Sequence, residues 1–157
     1  MRSFLAALLI AISPSVLAQG VSPLAGSWKL VSRQTIVDGR VEQPDLFGRN
    51  PKGYLILTTE GRMALIITGE NRNAGMSDTE RAELHKSMFA VTGRYRIDGS
   101  NLLIAVDVSW NESWNGIELK RRVRQEGDKL YVETAPTPSP LSPSKIVVAK
   151  LVFEREK

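Results

Sequence analysis

The sequence predicts an all-β fold, an eight-stranded antiparallel up-and-down barrel with one short helix inserted midway. Short runs of apolar and β-branched residues alternate with turn signals such as Asp38-Gly39, Glu60-Gly61 and Asp98-Gly99. Most of the links between these runs have the length of hairpin turns, which suits antiparallel neighbours. Eight strands in such an order favour a closed barrel, because closure removes the exposed edges of an open sheet.

The predicted strands are bounded by these turns and by longer loops. A loop from Glu42 to Lys52 separates the first strand from the second, and Glu126-Gly127-Asp128 links the sixth to the seventh. The eight predicted strands are Trp28 to Val37, Tyr54 to Thr59, Met63 to Thr68, Arg94 to Ile97, Leu102 to Trp110, Ile117 to Gln125, Leu130 to Thr134 and Ile146 to Glu154.

Two segments interrupt the run of strands. Ser77-Asp78-Thr79-Glu80 has the pattern of a capping box and predicts a helix from Asp78 to about Phe89. We expect this helix to close one end of the barrel or to pack on its wall. The Pro-rich segment 136–143 lacks amide donors at four positions, so it is predicted to be a loop at one rim. The alternative is a Pro-rich ligand for a partner domain.

The first 18 residues have the pattern of a secretory signal peptide. Met1-Arg2-Ser3 is a short basic start, Phe4 to Ile12 is an unbroken apolar run, and Val16-Leu17-Ala18 suits a signal peptidase. We expect cleavage after Ala18 and a mature domain of residues 19–157, exported to the periplasm or secreted. The apolar run is too short for a bilayer-spanning helix, which needs about 20 residues. No transmembrane segment is therefore expected in the mature chain.

The composition argues against several kinds of site. The chain has no Cys and a single His, His85, which leaves no thiolate or His cluster to bind a metal. The formal charge of +4 is weaker than the basic footprint of a nucleic-acid-binding protein. We therefore expect no metal, no cofactor and no nucleic acid, and a monomer or weak dimer.

The alternation of side chains along a strand predicts which residues point into the barrel. The candidates for an apolar cavity lining are Leu30, Tyr54, Ile56, Met63, Leu65, Ile104, Val106, Trp110 and Leu119. Such a lining suits a small apolar or amphipathic ligand. The same residues also suit a solid core, because side chains alone can fill a small eight-stranded barrel.

Arg121 falls on the inward parity of its strand, together with Leu119 and Val123. A guanidinium among apolar side chains destabilises a fold unless it is paired or stacked. One interpretation is structural: Arg121 lies at the rim, or it stacks on Trp28 or Trp114. The other interpretation is an anchor for a ligand carboxylate inside the barrel.

Seven segments, taken together, carry a family resemblance. They are Leu24-Ala-Gly-Ser-Trp-Lys-Leu-Val-Ser32, Asn50-Pro-Lys-Gly-Tyr-Leu-Ile56, Gly61-Arg-Met63, Gly93-Arg-Tyr95, Trp114-Asn-Gly116, Arg121-Arg122 and Leu151-Val-Phe-Glu-Arg155. From Leu24 to Arg155 the chain resembles the bacterial lipocalin-like domain family. The resemblance implies a small lipocalin-like barrel. It also implies that Trp28 packs at the barrel base beneath a basic residue near the final strand, which Arg155 matches.

The resemblance leaves the function open, since barrels of this type include carriers as well as cyclases and isomerases. Our first hypothesis is a barrel that binds a small apolar or amphipathic molecule without catalysis. The second is an isomerase or cyclase using a single acid or base, with Tyr54, Tyr95, Glu118 and Arg121 as the residues to suspect. The resemblance implies His residues in the fifth strand of many relatives. This sequence has Ile104 and Ala105 there instead. No catalytic residue is therefore assigned. The third hypothesis is a filled barrel that acts through its surface.

Overall fold

The computed structural model describes residues 23–42, 45–139 and 142–157. The signal peptide predicted for residues 1–18 and the predicted start of the mature domain at residue 19 lie outside the described residues. The strands are β1 (Gly26–Val37), β2 (Arg40–Val41), β3 (Lys52–Leu57), β4 (Arg62–Thr68), β5 (Met88–Asp98), β6 (Asn101–Ser109), β7 (Glu118–Glu126), β8 (Lys129–Thr134), β9 (Thr137–Ser139) and β10 (Ser142–Arg155). A helix, α1 (Asp78–Lys86), lies between β4 and β5, and a 3-10 turn (Glu112–Trp114) follows β6.

Eight of the described strands close into an antiparallel barrel, which confirms the predicted fold class. Around the barrel the order is β1, β3, β4, β5, β6, β7, β8 and β10, and β10 pairs with β1 to close the ring. The short strands β2 and β9 pair with β1 and β10, respectively. We call the end at which β1 begins and β10 ends the base, and the opposite end the mouth.

The base of the barrel is sealed by Trp28 and Arg155. The Trp28 side chain is fully buried, and its Nε1 donates a hydrogen bond to the Leu24 carbonyl oxygen at 2.8 Å. The guanidinium carbon of Arg155 lies 4.1 Å from the centroid of the Trp28 ring. Nη1 of Arg155 also donates to the carbonyl oxygen of Ala25 at 2.8 Å. A cation–π contact of this kind stabilises a fold by about 0.5–2 kcal/mol.

A β-bulge at Val31 changes which residues of β1 point inward. The pairing of β1 with β10 shifts by one residue between positions 30 and 32. An extra residue in one strand reverses the parity of everything that follows it. Trp28 and Leu30 are therefore buried before the bulge, whereas Arg33 and Thr35 point inward after it.

Helix α1 begins at the predicted residue and ends earlier than predicted. Its N-terminus is a capping box, in which Ser77 Oγ accepts from the Glu80 amide and Glu80 Oε2 accepts from the Ser77 amide. The helix ends at Lys86 rather than near Phe89, because Met88 and Phe89 already pair with β4. The strand predicted from Arg94 thus begins at Met88 instead, and α1 joins β4 to β5 at the mouth.

The Pro-rich segment contributes a short strand to the rim. Residues Thr137–Ser139 form β9, which pairs with β10 at an edge of the sheet. An edge strand tolerates Pro138, because one side of the strand has no neighbour to which an amide would donate. Strand β10 accordingly begins at Ser142 rather than at the predicted Ile146.

Candidate functional site

The barrel encloses a cavity of about 720 Å³ that opens at the mouth. Most of its wall is apolar, and the lining includes Leu55, Met63, Leu65, Ile104, Leu119 and Val132. This volume lies in the range of pockets that hold small organic ligands, about 300–1,000 Å³. The barrel is therefore hollow rather than filled.

The cavity wall near the mouth is aromatic. The rings of Phe89 and Trp110 have centroids 4.9 Å apart, and Trp114 meets both edge-on at 5.2–5.4 Å. His85 of α1 lies beside this cluster, with its Nε2 3.3 Å from the Trp110 carbonyl oxygen. Edge-on and tilted contacts are favoured arrangements of aromatic rings, so the cluster gives the mouth a packed apolar surface.

Arg33 and Asp45 form an ion pair on one side of the cavity. Nη1 of Arg33 donates to both carboxylate oxygens of Asp45, at 2.6 and 2.8 Å. The carboxylate also accepts from the Thr35 hydroxyl and from the Phe47 amide at 2.8 Å. Burial lowers the pKa of Arg33, an effect that the Asp45 carboxylate opposes. The Arg33 guanidinium also stacks on the Phe47 ring, so its charge is fully matched within the protein.

Arg121 projects into the cavity from β7 without such a match. Its residue is 8% exposed, and it lies opposite Leu102 of β6 and Thr134 of β8. Within the described ranges, no carboxylate oxygen lies within 4.0 Å of its guanidinium, and its one hydrogen bond runs from Nη1 to the Lys120 carbonyl oxygen at 3.1 Å. Burial lowers the pKa of Arg121 to about 10, because desolvation disfavours the charged form.

The other ionisable side chains of the lining lie at or near the mouth. Besides the Arg33–Asp45 pair, they are Glu42, His85, Lys86 and Lys145. Glu42, Arg33 and Asp45 also border a second, polar depression of about 630 Å³, whose wall includes Arg49 and Glu70. The interior of the barrel therefore carries one unmatched positive charge among its described residues, on Arg121.

Six of the ten predicted lining residues line the cavity. They are Met63, Leu65, Ile104, Trp110, Leu119 and Arg121. Leu30 and Val106 are buried but belong to the packed part of the core rather than to the cavity wall.

The predicted positions of Tyr54 and Ile56 are wrong. These side chains are 42% and 45% exposed and point away from the cavity, whereas Leu55 and Leu57 of the same strand are buried. Residues directly opposite one another in an antiparallel pair share a face. Leu55 lies opposite Leu65 and Leu57 opposite Met63, so the inward residues of β4 require the odd-numbered residues of β3 to point inward.

The burial and ring contacts of the structure bear on the structural interpretation of Arg121, as a rim residue or a stacked plug. The residue is buried, which excludes a rim position. Among the described residues, guanidinium–ring stacking involves Arg33, Arg124 and Arg155, and the ring of Trp28 carries Arg155. Arg121 is therefore not a stacked plug at the base.

Of the four residues suspected of catalysis, Arg121 alone lines the cavity. Tyr54 faces outward, and Glu118 is on the outer surface with Arg96. Tyr95 is buried, and its hydroxyl donates to the Thr58 carbonyl oxygen at 2.8 Å. The cavity therefore does not bring Tyr54, Tyr95 or Glu118 together with Arg121.

Several residues of the site are not predicted from the alternation pattern. The bulge at Val31 reverses the alternation of β1, so simple alternation does not predict that Arg33 points inward. Asp45 and Phe47 lie in a loop that has no periodicity. Trp114 reaches the cavity from a 3-10 turn. The inward position of Leu55 follows from the Glu60-Gly61 turn, because this turn fixes the register of β3 against β4.

The part of the chain that the structure covers holds no group of three or more His, Cys, Asp or Glu side chains arranged to bind a metal ion. No helix in the described ranges has the length and apolar character that crossing a membrane requires.

Fold and site together define a small closed β-barrel with an internal cavity that opens at one end. A family model described as the lipocalin-like domain matches residues 25–156. The chain therefore belongs to the lipocalin-like domain family, which confirms the resemblance seen in the sequence segments. A comparison with curated protein sequences finds no significant match.

Proposed function

We propose that the protein is a carrier that binds a small, largely apolar molecule inside the barrel and performs no chemistry on it. The observation that carries this proposal is the cavity of about 720 Å³, with a mainly apolar wall. Burying apolar ligand surface there is favourable by about 25 cal/mol per Å². Trp28 and Arg155 seal the base, so a ligand enters through the mouth.

A neutral apolar dye tests this proposal without involving any charge. N-phenyl-1-naphthylamine fluoresces strongly in apolar surroundings, and we expect its emission to rise saturably with added protein. The nearby rings of Trp110 and Trp114 should lose emission to the bound dye. A dye signal that does not saturate would contradict a cavity that binds ligands.

Two neighbouring residues of β4 provide a matched pair of variants. Leu65 lines the cavity, whereas Ile66 points outward and is 53% exposed. Leu65→Trp places a larger ring in the cavity and should weaken dye binding by about tenfold, since overpacking costs about 1–3 kcal/mol. Ile66→Trp should leave the affinity unchanged. Equal effects of both substitutions would place the dye on the outer surface.

The second part of the proposal is export. The pattern of residues 1–18 supports it, with its basic start, apolar run and small residue at position 18. The test is the intact mass of the protein recovered from the natural host. In the exported fraction we expect the mass of a chain that begins at Gln19. Full-length protein confined to the cytosol would contradict export.

A further inference from the structure

Arg33, Arg121 and Arg155 differ in how the charge of each guanidinium is matched. Arg33 is paired with Asp45 and stacked on Phe47. Arg155 stacks on Trp28 and donates to two backbone carbonyls. Arg121 has neither a carboxylate nor a ring among the described residues, and donates to the carbonyl of its own neighbour. The structure therefore leaves a guanidinium with most of its donors facing the cavity.

The position of Arg121 follows from its strand. Leu119, Arg121 and Val123 alternate with exposed residues along β7, so the side chain of Arg121 must point inward. Its cross-strand neighbours are Leu102 and Thr134. An unpaired charge among apolar side chains is unfavourable, so the site gains most from a partner that brings the opposite charge.

The chemistry of a ligand that would bind here follows from the Arg121 guanidinium and from the apolar wall of the cavity. A guanidinium presents two parallel N–H groups that match the two oxygens of a carboxylate. A single unmatched cation calls for a single negative charge, and the surrounding wall, which includes Leu102, Leu119 and Val132, calls for an apolar body. We propose that the ligand is an amphipathic monocarboxylate whose head group binds Arg121 inside the barrel. This inference rests on the proposed carrier function and names its ligand class.

The test compares ligands that differ in the head group alone. Decanoate, decanol and decylammonium share one body, and 1-pyrenebutyrate with 1-pyrenebutanol provides a second, rigid one. Binding is measured by calorimetry or by quenching of tryptophan emission at about pH 8, where a carboxylate is ionised. For at least one body we expect the acid to bind about tenfold or more tighter than the alcohol, because hydrogen bonds to charged groups are the stronger ones. Decylammonium should bind weakest of the three decyl probes.

Variants of β7 assign the preference to one side chain. Arg121→Met keeps a flexible, unbranched side chain and removes the charge, so acid and alcohol should bind equally. Arg121→Lys keeps the charge without the two-pronged donor, and should retain part of the preference. Arg122→Met is the control, because Arg122 is the next residue on the strand and is exposed.

The outcomes separate this inference from the proposed function. Saturable binding of the neutral dye, with acid and alcohol bound equally by the unmodified protein, overturns the carboxylate site and leaves the carrier in place. A preference for the acid that survives in Arg121→Met also overturns the site. Failure of the dye and of every probe to bind overturns the carrier and the inference together.

Discussion

A Cβ atom at Gly26 would lie 2.5 Å from Nη1 of Arg155, so the arginine occupies the space that a side chain at Gly26 would need. Gly26 also has a φ of +141°, in a region that other residues rarely adopt. The guanidinium that fills this space stacks on Trp28. Gly26, Trp28 and Arg155 therefore form one packing unit, although Arg155 lies near the opposite end of the sequence.

Gly26→Ala is expected to destabilise the protein by about 2–4 kcal/mol, because the new methyl group adds backbone strain and displaces Arg155. The measurement is the midpoint of urea unfolding. Gly99→Ala is the control, since Gly99 also has a positive φ but has open space around it, and should cost about 1–2 kcal/mol. An equal loss of unfolding free energy in both variants would show that displacing Arg155 does not destabilise the protein.

Trp28→Ala is expected to cost about 3–5 kcal/mol, as truncation of a large buried aromatic side chain does. The substitution removes a fully buried ring, its hydrogen bond to Leu24 and the surface beneath Arg155. Chemical denaturation measures the loss, and Trp28→Phe should recover part of it by restoring a ring. A midpoint that barely moves would contradict the structural role of this residue at the base.

Much of the fold could be predicted because turns and strands carry local signals. The Asp-Gly and Glu-Gly pairs mark hairpin turns, and the capping box at Ser77 marks the start of α1. The inward face of β3 cannot be predicted from alternation, because Tyr54 to Leu57 is apolar at every position. The register of the hairpin with β4 contains that information, since Leu57 lies opposite Met63.

The cavity could be predicted less completely, for two physical reasons. A β-bulge reverses parity without leaving a pattern in the sequence, and the bulge in β1 is what turns Arg33 and Thr35 inward. The ion pair between Arg33 and Asp45 joins a strand to a loop, and it depends on tertiary packing rather than on spacing along the chain. The inward direction of Arg121 is predictable from the sequence, because β7 is regular and its residues alternate between the two faces.

Asp45→Asn is expected to destabilise the protein by about 3–5 kcal/mol, since it leaves the buried Arg33 without its counter-charge. Equilibrium unfolding at neutral pH measures the change. Asp107→Asn is the matched control, because Asp107 pairs with Arg62 on the exposed outer surface, where ion pairs contribute little. Asp45→Asn should also loosen the residues around Phe47, which faster amide exchange there would reveal. Equal losses in the two variants would show that burial does not strengthen the inner pair.

Arg121→Met is expected to stabilise the ligand-free protein by about 1–4 kcal/mol at about pH 8, because an unpaired buried charge is replaced by an apolar side chain. Burial lowers the pKa of Arg121 to about 10, so the unfolded chain holds this proton more tightly than the folded protein. The cost of the charge is therefore fully present below about pH 10 and fades as the pH rises above it.

Unfolding free energies of both proteins, measured between about pH 8 and 11, should converge toward the alkaline end. The two proteins differ at position 121 alone, so the difference between the two curves isolates Arg121. Arg122→Met, at an exposed position of the same strand, should show neither the gain nor the convergence. A loss of stability in Arg121→Met would show instead that the guanidinium supports the fold, and that its place in the barrel is structural.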